Sequence, residues 1–367
     1  MKSELLYQLA LTLVPDVGDA QAKVLIKHFG EAKAIFKAKS STLNKIKGLS
    51  APAINSLLHF NDFSHAEEEL KFIDKYKIKT LFLTDEDYPQ RLLNGFDSPS
   101  LLFYKGEANL NASKVISIVG TRSHTDYGKQ FTEKLVSDLA PYDVLIISGL
   151  AYGIDSIAHR SALKSNLSTV GVVGHGLDMI YPPENSSLAK EMVKENGGIL
   201  SEFFSGTKTD RFNFPLRNRI VAGKSDATIV IETLQKGGSM ITAKLADAYN
   251  RDVFAVPGRS TDKMSKGCNY LIKHNKAIML TDADDLLEVM GWKEVKKSKS
   301  KRQRELFIEL TSDEQQLVAL LQEKDAVHID EINLRSGLTS SAIAAAILNL
   351  ELQNIIASLP GKMYRMI

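Results

Sequence analysis

The stretch Phe212-Asn-Phe-Pro-Leu-Arg-Asn-Arg-Ile-Val-Ala-Gly-Lys-Ser-Asp-Ala-Thr-Ile-Val-Ile-Glu-Thr-Leu-Gln-Lys-Gly-Gly-Ser239 decides how the chain is read. It opens on two aromatic residues, passes Arg217 and Arg219, runs through a strand at Ala227 to Glu232 and ends on small residues. Guanidinium groups are planar donors for phosphate, and Phe212 or Phe214 offers a face on which a base can stack. Gly237, Gly238 and Ser239 would open the next helix, so free N–H groups and the positive helix end point at any anion there. Cation, stacking face and amides are the parts of a groove for single-stranded nucleic acid. The same residues also fit a buried phenylalanine, two surface arginines and an ordinary strand-to-helix turn, so the surrounding sequence has to arbitrate.

Outward from this stretch, short β-branched runs alternate with helical segments: Val115 to Val119, Val144 to Ile147, Thr169 to Val173, Ile199 to Glu202, Val253 to Val256 and Ala277 to Leu280. Runs apolar on both faces and separated by helices predict a parallel sheet between two helix layers, a doubly wound α/β core of extended Rossmann type spanning residues 113–291. Small-residue loops follow these runs: Gly120-Thr-Arg, Ser148-Gly-Leu-Ala-Tyr-Gly, Gly174-His-Gly, Lys236-Gly-Gly-Ser and Pro257-Gly-Arg. Ligands of this architecture bind outside the carboxyl ends of the strands, so these loops should converge on one crevice.

The flanks have a different texture. Residues 1–62 are helical and hold two similar units, around Leu13-Val-Pro-Asp-Val-Gly and Ile46-Lys-Gly-Leu-Ser, each with a glycine-bearing turn between helices. They resemble helix-hairpin-helix motifs, but Asp16 would repel a phosphate, which favours packing or docking. Residues 63–112 read as an irregular bridge with a strand near Thr80 to Thr84. Residues 292–306 are a basic linker that includes Lys293, Lys296, Lys297, Lys299, Lys301, Arg302 and Arg304. Residues 307–367 show three helices and a hairpin around Pro360-Gly361, the order of a winged helix-turn-helix. Its third helix contains no lysine or arginine, which argues against duplex reading and favours protein contact or regulation.

Composition excludes other classes. Lysine and arginine number 46 against 44 acidic residues, so affinity for nucleic acid has to come from a local patch. Cys268 is the only cysteine, which excludes an internal disulfide and a cysteine-built zinc site. Without a signal-like start or an apolar run near the ~20 residues of a membrane span, the expectation is a cytoplasmic protein with no membrane contact. Gly223-Lys-Ser lacks the upstream glycine of a P-loop and precedes a strand, so it reads as a helix terminus. Gly149-Leu-Ala-Tyr-Gly lacks dinucleotide spacing. Asp155 and His159 share a helix face but have no evident third ligand, and Asp155 sits where a carboxylate caps a helix start. No cofactor or metal is expected.

Together Val115-Ile-Ser-Ile-Val-Gly-Thr-Arg, Ser148-Gly-Leu-Ala-Tyr-Gly-Ile-Asp, Gly176-Leu-Asp-Met-Ile-Tyr-Pro, Leu200-Ser-Glu, Phe214-Pro-Leu-Arg-Asn-Arg, Gly238-Ser-Met-Ile-Thr-Ala and Val253-Phe-Ala-Val-Pro-Gly resemble the DprA (Smf) family of DNA-processing proteins. The resemblance implies a non-enzymatic homodimer that binds single-stranded DNA during natural transformation and helps to load the RecA recombinase onto it. The site residues it implies are Gly120, Thr121, Arg122, Ser148, Gly149, Phe214, Arg217, Asn218, Arg219, Gly238 and Ser239. Arg211, beside Phe214, is added as a phosphate contact. The sequence departs from the family pattern at Tyr152, His175 and Gly237. An alternative, a nucleotide-processing enzyme of the lysine-decarboxylase-like phosphoribohydrolase group, shares glycine-rich α/β crevices. Its motif places a glutamate after the glycines, where this chain has Ala243 and Lys244.

Overall fold

The computed structural model describes residues 3–293, 310–353 and 355–367. The rest of the basic run, from 294 onward, lies outside the described residues. The chain divides into two compact units, Met1–Met279 and Leu280–Ile367.

The first unit is built on a nine-stranded sheet whose strands in chain order are β1 (Lys79–Phe82), β2 (Leu101–Gly106), β3 (Val115–Val119), β4 (Leu145–Ser148), β5 (Thr169–Val172), β6 (Gly198–Ser201), β7 (Ala227–Val230), β8 (Asp252–Ala255) and β9 (Ile278–Met279). Their spatial order is β1-β2-β6-β5-β4-β3-β7-β8-β9. β3 to β9 are parallel, whereas β2 runs antiparallel to both β1 and β6. Every residue of β3, β4, β5, β6 and β7 is buried, as helices on both faces require. Val115 and Val119 belong to a core shared with the helices Asn213–Gly223 and Gly238–Ala248. The helix Ile154–Lys164 lies against β3 and β4 on the opposite face, beside the helix Asp126–Leu139.

The segment 63–112 is more regular than its turn-forming composition predicts. It supplies the helix Ser64–Tyr76 and the edge pair β1 and β2, in register with Lys79 opposite Tyr104 and Phe82 opposite Leu101. Leu101, Leu102, Phe103 and Tyr104 are all buried. Turn residues such as Asp97, Pro99 and Gly106 enclose this run and mask a strand that only the sheet edge makes visible.

The amino-terminal helices pack on that edge through a core that joins Leu6, Leu9, Leu25 and Ile54 to Phe82, Leu101 and Phe103. Both hairpins are present, their second helices being Asp19–Phe29 and Ala51–His59. Asp16 adopts φ 62° in the first turn and accepts a hydrogen bond from Ser56 at 3.1 Å, so this carboxylate links the two hairpins.

The second unit contains the helices Ala283–Val289, Ser312–Gln322, Ile329–Ser336 and Ser340–Leu352, with strands β10 (Val327–His328), β11 (Ile356–Leu359) and β12 (Met363–Met366) in the order β10-β12-β11. Thr311 and Glu314 form a capping box at the start of its second helix. Pro360-Gly361 turns β11 into β12, with Gly361 at φ 78° and so close to the Met290 carbonyl that a Cβ would stand 2.1 Å from it. The third helix of the winged array, Ser340–Leu352, leaves Leu348 and Leu352 exposed.

One buried ion pair ties the bridge to the sheet. Arg91 engages Asp226 at 2.6 and 2.9 Å and also donates to the carbonyls of Ala112 and Ser113, while Asp226 accepts the N–H of Val115 at the start of β3. Removing one partner strands a buried charge, so Arg91→Ala should lower unfolding stability by about 3 to 5 kcal/mol. The loss should read as a lower urea midpoint at unchanged slope.

Candidate functional site

Strand order reverses at β3, whose neighbours β4 and β7 carry the chain away in opposite directions. The loops leaving these three strands therefore part, and a crevice of ≈ 330 Å³ opens between them at their carboxyl ends. Its floor and walls include Gly120, Thr121 and Arg122 after β3, Gly149 and Ala151 after β4, and Thr233, Leu234 and Gly237 after β7. Phe214, Arg217, Asn218 and Val221 enter from one face of the helix Asn213–Gly223, at the spacing of successive helical turns. Gly238, Ser239 and Thr242 close it from the first five residues of the next helix.

Nine of the twelve residues expected from sequence meet here: Gly120, Thr121, Arg122, Gly149, Phe214, Arg217, Asn218, Gly238 and Ser239. The other three do not. Ser148 is fully buried and its hydroxyl donates to the Ile118 carbonyl at 2.6 Å, which ties β4 to β3. Arg211 stacks on Phe212, with 4.7 Å from guanidinium carbon to ring centroid, rather than beside Phe214. Arg219 donates to Asp19 at 3.1 Å and to Glu202, on the far side of its helix. Two positions separate Arg217 from Arg219, about 200° around a helix axis, so the two cannot act as one clamp. The sequence marks a helix terminus at Gly223-Lys-Ser, but treating Arg217 and Arg219 as one phosphate-binding pair ignores the helical phase that separates them. Thr233 and Leu234, just past the end of β7, and Thr242, inside the next helix, also line the crevice without having been expected from sequence.

Below the crevice lies a buried charged layer. The Asp155 carboxylate and the Arg217 guanidinium both approach Gly149 so closely that a Cβ there would stand 2.3 Å from Asp155 Oδ2 and 2.6 Å from Arg217 Nη1. Arg217 also donates to the Val172 carbonyl at the end of β5, and its Nε has no hydrogen-bond partner among the described residues. Burial raises the Asp155 carboxyl above its ordinary range, with the Arg217 charge acting in opposition. Asp155 accepts the Ala151 N–H at 3.3 Å and so holds the loop that precedes its own helix.

His159, one turn further along, is fully buried, with Nε2 2.6 Å from the Gly149 carbonyl and Nδ1 2.6 Å from the Thr169 hydroxyl. A carbonyl only accepts, so Nε2–H donates to Gly149 and the neutral ring carries no proton on Nδ1. The single Thr169 hydroxyl proton is shared between Nδ1 and the Ile146 carbonyl, which lies 3.0 Å from the same oxygen. Burial lowers this imidazole to about 4, with the Arg217 charge adding to the effect. Asp155 and His159 thus serve the backbone of the β4 loop, and neither meets the other as an acid-base pair.

At the mouth, exposed Arg122 lies over the Phe214 ring, 5.7 Å from its centroid, and has no carboxylate partner among the described residues. Gly237 caps the helix Gly238–Ala248 without a side-chain hydrogen bond, which leaves first-turn amides facing the crevice. A narrow cleft of ≈ 30 Å³ continues past Arg122 and Phe214 to Tyr152, His175 and Tyr181. Tyr181 and Phe214 have ring centroids 6.3 Å apart. Cations, ring faces and amides in this arrangement can hold a ligand that is both anionic and planar.

Comparison with known proteins follows the same outline. The family model for DNA recombination-mediator protein A matches residues 79–291, and that for the DprA winged helix domain matches residues 305–362. The chain belongs to the DprA/Smf family. It is 38% identical over 300 residues to the Smf protein of Synechocystis, covering 79% of this chain and 73% of that one. The crystal structure of DprA from Streptococcus pneumoniae superposes with a TM-score of 0.66 at 31% identity, covering 78% of this chain and 97% of that one. A structure of DprA from Helicobacter pylori, described for its single-stranded DNA binding mode, gives a TM-score of 0.53 at 32% identity over 57% of this chain and 94% of that one. No helix among the described residues is long and apolar enough to cross a membrane.

Two measurements check the buried layer. Gly149→Ala forces a methyl into the Asp155–Arg217 contact and should cost about 1 to 3 kcal/mol. Gly238→Ala meets nothing within 4 Å and should stay within about 1 kcal/mol of the parent in the same urea titration. For pH, the folded chain keeps His159 neutral down to about 4 while the unfolded chain protonates it near 6.5. The unfolded state therefore binds more protons between those values, and stability present above about 6.5 should fall as pH drops toward 4, by on the order of 3 kcal/mol. A His159→Gln variant should show a flatter stability profile across that window.

Proposed function

We propose that this chain binds single-stranded DNA in the crevice between the β3, β4 and β7 loops and acts as a carrier rather than a catalyst. The observation that carries this reading is the meeting of Arg122 and Phe214 with the free amides of Gly238 and Ser239 at one opening. A base can stack on the phenylalanine while phosphates lie against the guanidinium groups and the helix end. Family membership and the DNA-binding mode reported for the Helicobacter pylori relative support it. Handover of the bound strand to RecA, a role in natural transformation, a cytoplasmic location and a homodimeric state belong to the same proposal and rest on the family resemblance. For the dimer there is also a physical reason: β9 ends the sheet with an open edge on which Ile278 and Met279 are exposed.

The test is a fluorescence titration of labelled oligothymidylate at several salt concentrations. Arg122→Ala should weaken binding and reduce the slope of log affinity against log salt by about one ion. Phe214→Ala should cost about 1 to 3 kcal/mol of affinity, and undiminished thermal stability would separate lost stacking from lost packing. Deleting residues 307–367 should leave oligothymidylate affinity within about twofold. Parent-level affinity in Arg122→Ala would refute the assignment.

A further inference from the structure

The helix that carries Phe214, Arg217 and Asn218 into the crevice is gripped from behind. Arg219 projects from its opposite side, and a single nitrogen, Nη2, serves both Asp19, at 3.1 Å, and Glu202. The Arg219 side chain is 12% exposed and that of Glu202 11%, so the contact is largely closed to water. Glu202 Oε1 and Arg219 Nε have no hydrogen-bond partner among the described residues, so the contact between the two side chains runs through Arg219 Nη2 and Glu202 Oε2. Glu202 stands one residue beyond the end of β6.

Asp19 comes from the amino-terminal helices, as the first residue of the helix Asp19–Phe29. Its second oxygen accepts both the N–H and the hydroxyl of Ser100, at 2.8 and 2.9 Å, just before β2. Lys23, one turn along the same helix, donates to the Gly95 carbonyl at 2.6 Å and to Ser98 at 3.0 Å. Asp19 is thus fixed to the sheet edge at one oxygen and holds Arg219 with the other. A shift of this helix would be felt at Arg219, and a rotation of the helix Asn213–Gly223 that freed Arg219 would swing Phe214 and Arg217 with it.

We infer that Arg219 is a positioning residue: with Asp19 and Glu202 it makes the amino-terminal hairpin a brace that sets the helix Asn213–Gly223, and hence the affinity of the crevice for single-stranded DNA. The inference rests on the reading of the crevice as a DNA interface. It differs in sign from the other role an arginine in this run could have. If Arg219 were a phosphate ligand restrained by two carboxylates, neutralising either carboxylate would release a cation and strengthen binding. As a brace it does the reverse, because removing negative charge then weakens binding to a polyanion.

The full chain is titrated with labelled oligothymidylate over a range of salt, as wild type and as Asp19→Asn, Glu202→Gln, Arg219→Ala and Arg219→Lys, with hydrogen exchange followed across residues 213–223. Asp19→Asn, Glu202→Gln and Arg219→Ala should each lower affinity by on the order of tenfold, with the salt slope of the parent and faster exchange in that helix. Arg219→Lys, which can place one nitrogen between the two carboxylates, should recover most of the loss. Should Arg219→Ala fail to fold, the milder Asp19→Asn and Glu202→Gln changes carry the same comparison. Affinity unchanged or raised in Asp19→Asn and Glu202→Gln, or a slope reduced by one ion in Arg219→Ala, would overturn the brace while leaving the DNA interface standing. A wild-type chain with no affinity for oligothymidylate would overturn both.

Discussion

The reversal of strand order at β3 is the constraint on which the rest of the first unit depends. Parallel strands joined by right-handed crossovers must send their helices to opposite faces when the winding changes direction, and nothing then covers the gap between the diverging loops. Here the gap opens beside β3 because β4 and β7 flank it. Close backbone approach keeps it narrow: a Cβ on Gly120 would meet Ile154 at 2.5 Å, and one on Gly153, at φ 79°, would meet the Thr121 carbonyl at 2.3 Å. These two glycines let the β3 and β4 loops lie against each other.

Charge is then buried in the floor of that gap at an energetic cost. Asp155 and Arg217 are removed from water together, and their mutual field, with the Val172 carbonyl and the Ala151 amide, offsets part of the desolvation. Burial lowers the Arg217 guanidinium from its ordinary value, with Asp155 opposing and Arg122 reinforcing the shift. Such a layer is a poor source of stability compared with apolar packing, but it fixes the β4 loop and keeps a positive group just under the crevice. His159 completes it by taking up the Gly149 carbonyl as a neutral donor. Glu232, buried at the end of β7, does the matching work opposite by accepting the N–H and hydroxyl of Thr125 ahead of the helix Asp126–Leu139.

Much of this was legible along the chain. The seven β-branched runs from Val115 to Leu280 all became strands of the parallel sheet. For β3 to β7 the reason is burial on both faces, which leaves an apolar signature that needs no partner to be seen, whereas β9 is exposed at the sheet edge. The helix order and the Pro360-Gly361 hairpin of the second unit were legible for a similar reason, through local periodicity and turn chemistry. β2 was not, since a short strand set among prolines and asparagines has the composition of a loop until β1 and β6 pair with it on either side. Arg219 misled for another reason. Its type and spacing suit a phosphate clamp, but its direction depends on the run being helical and its fate on Asp19, which lies 200 positions away.

The sequence by itself determined the α/β class, the loops that would border the crevice, and the residue types able to hold an anion and a ring, because these follow from local periodicity and from the place of glycines after strands. Only the tertiary structure decided which cations face the opening. Arg122 is exposed at the mouth, Arg217 is buried beneath it, and Arg219 is turned away into an ion pair. Side-chain direction is set by helical phase and by partners from distant segments, and neither is written in the identity of the residue itself.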